Sequence, residues 1–263
     1  MIKEFRLYYA YIKIHLLSGL EYKGWWLMLM NVLLNCLSDP IAIFLMFYRF
    51  GGIGSWTLER IILVYALAVT SFGMAECFFR GFDYFPWQMI QSGNFDRLLL
   101  RPKSLFTQVA ASYFHIHRLA RPIAGLCIIA WALVRLEVTI SLYNIAILIL
   151  ALAGGMILYA GVFVMSSGIA FFTIKALDWI YIFTNASYQV TRIPKEYMPG
   201  ALKNIFTFFM PMLIISYYPA SVICGWGESR WLGWLALPAG IAFLSASLLV
   251  WRVGVRHYKS TGS

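Results

Sequence analysis

Charge is scarce in this chain. Only 12% of its 263 residues are Asp, Glu, Lys or Arg, whereas 61% are hydrophobic and 17% aromatic. Soluble domains carry about 25% charged residues, so the composition excludes an ordinary soluble domain and belongs in lipid. The four cysteines, Cys36, Cys77, Cys127 and Cys224, lie far apart. No metal-binding or redox spacing is present, and they read as buried apolar thiols. There is no Gly-x-x-x-x-Gly-Lys-Ser/Thr loop, so the chain does not bind ATP in that way. The first 24 residues are too charged for a secretory signal and no small-residue cleavage site follows them. The net charge of +10 does not call for nucleic acid, because basic loops set membrane topology.

What is present is a series of long apolar runs. About 20 apolar residues cross a hydrocarbon core of roughly 30 Å. The pattern predicts an all-α polytopic membrane protein with six transmembrane helices, at about 25–48, 58–79, 106–134, 142–172, 177–191 and 231–251. Residues 2–20 have a helical period, with Lys3, Arg6 and Lys13 on one face and Phe5, Tyr9, Ile12 and Leu16 on another. This predicts an amphipathic helix lying in the membrane interface. In the fourth run, Gly154, Gly161 and Gly168 recur every seven residues and form a small-residue seam for close helix packing.

Polar residues inside the apolar runs are informative because they are costly there. Asn31, Asn35 and Asp39 recur at i, i+4 and i+8 and form one stripe on the first span. With Asn185 and Gln189 of the fifth span they are candidates to line a path across the membrane. Interhelical hydrogen bonding is the competing reading. Pro40 is expected to bend the first span. Glu76 and Arg80, at i and i+4, are expected to pair. His115 and His117 form a His-x-His pair, but no carboxylate or thiol ligand sits nearby, and on a helix the two rings would point apart.

The stretch 193–226 is apolar but broken by Pro194, Pro199, Pro211 and Pro219. The N-terminal arm and the tail (Arg252, Arg256, Lys259) are both basic, which places both termini in the cytoplasm and requires an even number of crossings. The stretch therefore reads as a re-entrant hairpin entering and leaving on the outer side. Non-helical backbone at that depth must be covered by protein. Under this arrangement 14 Lys and Arg lie inside and 7 outside.

The remaining polar island is the loop 81–104, with Gly93-Asn94-Phe95-Asp96-Arg97-Leu98-Leu99-Leu100-Arg101-Pro102 at its centre. Gly93, Phe95, Asp96, Arg97, Leu98, Leu99, Arg101 and Pro102 combine apolar knobs with a charged rim, as expected of an element that docks on another protein. This loop resembles the coupling loop of the short, six-span type-2 ATP-binding-cassette (ABC) exporter permeases. Arg192-Ile193-Pro194, Tyr218-Pro219-Ala220 and the tail Gly254-Val255-Arg256-His257-Tyr258 fall where similar permeases carry such pieces. The resemblance implies a transmembrane subunit of the cell (inner, cytoplasmic) membrane, not itself an enzyme. It implies two ATPase subunits that hold ATP and Mg, a second identical or similar permease chain, and export of a substrate. A wall rich in aromatic residues, Met and Leu suits a hydrophobic or amphipathic cargo, and equally suits plain contact with lipid. The alternatives are a substrate-binding membrane module of an importer and a membrane-embedded lipid-modifying enzyme.

Overall fold

The structure is a computed structural model that describes residues 2–21, 23–52, 54–173 and 189–258. Among these residues the regular structure is helical and there is no β-strand. Among the described residues five helical stretches are long and apolar enough to cross a membrane, Trp25–Phe50, Leu58–Gln91, Ile116–Arg135, Leu142–Ala170 and Arg230–His257, or six if the bent pair Gly200–Phe209 and Met212–Cys224 is one span. The fifth predicted span lies at 177–191, of which 177–188, with Asn185, fall outside the described residues.

Helix α1 (Ile2–Glu21) precedes the first span. The Tyr8 hydroxyl donates to the Phe78 carbonyl at 2.7 Å, which fixes α1 against the second span. Arg6 and Lys13 are exposed. Helix α2 (Trp25–Phe50) runs through Pro40, and only Cys36 and Ile43 on it are buried. It therefore turns most of its apolar surface outward.

Helix α3 (Leu58–Phe85) is the centre of the bundle. Nearly every residue from Ile61 to Phe72 is buried regardless of face, as expected of a helix that is apolar all round. At about 1.5 Å per residue it extends roughly 40 Å, well past the end at 79 expected from the sequence. A π-helical turn, Pro86–Gln91, continues it. Proline has no N–H to give, so the helical ladder widens there.

The third span differs from expectation. Helix α4 (Phe95–Leu99) lies in the loop before it, and in place of one helix over 106–134 there are α5 (Leu105–Ala111), a break at 112–115, a 3-10 turn (Ile116–Leu119) and α6 (Ala120–Arg135). Pro122 sits in the first turn of α6, where a missing N–H costs little. It cannot donate to the carbonyl of residue 118, so a helix cannot continue unbroken upstream. The cations Arg118 and Arg121 are drawn to Glu76, which fixes the break.

Helix α7 (Leu142–Ala170) packs along α11 (Ala236–His257). The seam read from the sequence is this interface. A Cβ on Gly154 would overlap the Ala236 carbonyl, one on Gly161 would lie 2.8 Å from Phe243, and one on Gly168 2.9 Å from the Trp251 nitrogen. Gly240 and Gly254 return the contact against Gly154 and Gly168. Backbone against backbone gives the close approach that small residues permit in lipid. Ser167 donates to the Phe82 carbonyl and ties the pair to α3.

Between these helices lie α8 (Gly200–Asn204), a π-helical turn (Ile205–Phe209), α9 (Met212–Ile215) and α10 (Tyr217–Cys224). Pro199 stands at the N-cap of α8 and Pro211 at that of α9, so two of the prolines each begin a new short helix. The halves Gly200–Phe209 and Met212–Cys224 are bent by 69°.

Candidate functional site

Three groups of polar or exposed residues are built along this scaffold. The first is the loop after α3. Gly93 has φ +68, a conformation costly for other residues, and it reverses the chain after the π-helical turn. The Asn94 side chain donates to Ser92 Oγ at 2.8 Å. Helix α4 then lies across the ends of the long helices.

Phe95 is fully buried, with ring centroids 5.3 Å from Phe85, 5.3 Å from Phe171 and 4.7 Å from Tyr258. Burying such a ring stabilises by about 1.5–3 kcal/mol, and each edge-to-face pair adds about 0.5–1.5 kcal/mol. Tyr258 hydrogen-bonds Asp96, and burial together with that carboxylate raises its pKa. Leu98 is also buried.

The sequence pattern places Phe95, Asp96 and Leu98 among the outward docking residues. The structure turns Phe95 and Leu98 inward, because the ends of α3, α7 and α11 supply an aromatic socket for Phe95, and leaves Asp96 half-buried, bonded to Tyr258. Outward stand Arg97, Leu99, Leu100, Arg101 and Pro102, with Leu100 85% exposed. Gly93 is partly exposed and shapes the turn. Arg101 donates to the Tyr11 hydroxyl of α1 at 3.2 Å.

The second group is a buried charge cluster on α3. The Glu76 carboxylate meets Arg80 at 3.2 Å, as the i, i+4 spacing predicts, and also Arg121 at 2.7 Å and Arg118. Arg80 bridges on to Asp83 at 3.3 Å. Arg121 lies over the Phe72 ring at 5.3 Å. A Cβ on Gly73 would come within 3.0 Å of Arg121 and Pro122. The sequence paired Glu76 with Arg80 alone. The missed signal was the pair of cations 118 and 121 in an apolar run with no acid of their own.

The third group is a polar cavity of about 170 Å³ between α2, α3 and α6, lined in part by Asn35, Ser38, Asp39, Tyr65, Arg121 and Gln189. Asp39 ion-pairs with Arg192 at 2.5 Å and accepts from the Tyr65 hydroxyl at 2.7 Å. Of the residues expected to line a path, Asn35, Asp39 and Gln189 meet here. Asn31 does not line the cavity; it accepts from Asn35 Nδ2 at 3.0 Å.

At the far end of α3 the broken segment is tied down. Glu196 accepts from Trp56 Nε1 at 2.9 Å and from the Tyr217 hydroxyl at 3.0 Å. Lys195 pairs with Glu228 at 2.5 Å and lies 4.4 Å from the Tyr218 ring centroid. Pro194, Pro211 and Pro219 are buried, while Pro199 is exposed.

The profile described as "ABC-2 family transporter protein" matches residues 33–262. The chain belongs to the ABC-2 transporter family. No curated protein and no solved structure shows significant similarity to it. As an ABC-2 permease it is a multi-pass membrane subunit of an ABC transporter, and the family implies an ATPase partner. The match takes in α4 and the whole broken segment. It begins within α2 and leaves out α1 of the permease.

Proposed function

We propose that this permease forms the export path for a hydrophobic or amphipathic substrate and is driven through α4 by separate ATPase subunits. Two ATPase subunits, holding ATP and Mg, serve a pair of permease chains. The observation that carries the reading is the two-sided build of α4. Its inner side, Phe95 and Leu98, is locked into the permease, and its outer side shows Leu99 and Leu100 between Arg97 and Arg101. An apolar tip with a cationic rim suits a groove on a soluble partner, where a few buried apolar anchors dominate binding.

Closure of the ATPases on ATP would move α4, and with it α3, α7 and α11 together. Relative movement of these helices against the outward-facing α2 would open or close the polar cavity at Asp39. In this reading α4 and both termini lie in the cytoplasm, α1 lies in the inner interface, and the bent segment 193–226 is a re-entrant hairpin closing the outer side. Asn35, Asp39 and Gln189 line the path.

The test is co-purification with an ABC ATPase. Leu99→Ser together with Leu100→Ser should abolish capture of the ATPase while leaving the permease as stable as before. Retained capture in that variant refutes docking through this tip.

A further inference from the structure

A cleft is formed where α1, the start of α2 and the broken start of the third span meet. It has a volume of about 280 Å³ and is lined by His15, Ser18, Trp25, His115, Ile116 and His117 among others. The His115 and His117 rings stack with centroids 5.3 Å apart. They do not diverge as on a helix, because His115 is extended, with φ −132 and ψ 125. Trp25, Ile116 and His117 also line an adjoining groove of about 460 Å³ between α2 and α6, walled by Leu29, Leu33, Ile123 and Ala124. A largely apolar cleft that carries three histidines and a serine thus adjoins an apolar groove, the shape of a site for a molecule with a small polar head and a tail.

The head can be narrowed by the donor set. Among the described residues no Lys, Arg, Asp or Glu lines the cleft, and the nearby Arg118 is held by Glu76. Burial lowers the pKa of His15, and burial with the charge of Arg118 lowers that of His115 to about 4. At neutral pH these imidazoles are uncharged; His15 carries one N–H donor and one acceptor nitrogen, while His115, whose N–H is taken by the Phe114 backbone, offers its acceptor nitrogen. Ser18 likewise gives and accepts. Such a mixed set matches hydroxyl groups, which also do both. A phosphate only accepts and would call for cations.

We infer that this cleft and groove bind a membrane amphipath with an uncharged, hydroxyl-rich head, such as a glycosyl diacylglycerol, its head among the three histidines and its tail between α2 and α6. The site is independent of ATPase docking and is tested without ATPase or nucleotide. The full chain is placed in phosphatidylcholine nanodiscs with a glucosyl diacylglycerol carrying a diazirine in its acyl chain, or with phosphatidic acid bearing the same chain. Cross-linked peptides are then mapped by mass spectrometry. Losing two or three hydrogen bonds of about 0.5–1.5 kcal/mol each corresponds to roughly tenfold or more. Labelling of segments 15–33 and 116–124 should thus be about tenfold stronger with the glucosyl lipid.

His115→Ala with His117→Ala should remove that preference. Leu33→Trp, which fills the groove and leaves the histidines in place, should lower labelling by both lipids. If the histidine variant does not fold, octyl glucoside should compete with labelling of the wild-type chain and octyl phosphate should not. Equal labelling by the two lipids, stronger labelling by phosphatidic acid, insensitivity to both variants, or equal competition by the two octyl compounds overturns the inference.

Discussion

Phe95 and Tyr258 meet edge to face, with ring centroids 4.7 Å apart and planes at 89°. The contact joins a five-residue helix in the loop after α3 to the residue that follows α11, across more than half the chain. Phe85, Phe171 and Trp251 complete the cluster, with Phe85 and Trp251 5.0 Å apart. The loop is therefore a fixture of the bundle's end, and force on it is shared by three long helices.

Phe95→Ala should destabilise the permease by about 3–5 kcal/mol, the cost of emptying a buried aromatic site. Thermal unfolding in detergent measures it. Leu100→Ala, at an 85% exposed position, should leave the midpoint within the scatter of surface changes, about ±0.5 kcal/mol. Equal effects of the two would show that Phe95 is not seated.

Glu76→Gln should be among the most damaging single changes. It leaves Arg80, Arg118 and Arg121 without their shared counter-charge inside the bundle. Breaking a buried ion pair by removing one partner costs about 3–5 kcal/mol. Loss of folded protein in a solubilisation and size-exclusion assay is expected. Unchanged recovery would show that water reaches the cluster freely.

The α7–α11 seam is tested by Gly154→Leu, which drives a side chain into the Ala236 carbonyl. Overpacking of this kind costs about 1–3 kcal/mol or more. Gly200→Ala is the control, since nothing lies within 4 Å of a Cβ there. As a helix substitution it should be neutral or stabilising by up to about 1 kcal/mol. Measured unfolding midpoints should fall for the first variant and hold or rise for the second.

His115 gives a pH signature. Burial, Arg118 and His117, with a smaller part from His15, hold its folded pKa at about 4 against an ordinary 6.5. Between those values the unfolded chain binds the proton and the folded chain does not. Its contribution to stability is thus full above pH 6.5 and is lost as pH falls towards 4. Melting curves at stepped pH should show a shallower acid slope for His115→Asn than for wild type.

The all-α membrane fold was legible because lipid demands long apolar helices, and five of them stand where the runs are. The glycine period 154, 161, 168 gave the seam because only small residues permit backbone contact. The break at 112–115 was not legible, since it depends on Glu76, some 40 residues away, attracting Arg118 and Arg121. The inward turn of Phe95 was hidden for the same reason: its socket comes from residues 85, 171 and 258. The stripe Asn31, Asn35, Asp39 was correctly placed on one helix. Which of its members meet a cavity depends on Tyr65, Arg121 and Gln189 from other elements.

If an ATPase grips the tip of α4, a photocrosslinker placed there will capture it. Benzoylphenylalanine at position 100, in the permease co-expressed with its ATPase, should yield a permease–ATPase adduct on illumination, and the same residue at the outward end of α7, position 142, should not. No adduct from position 100, or labelling of that position by an impermeant reagent added outside intact cells, would mean that the tip of α4 is not the ATPase's handle.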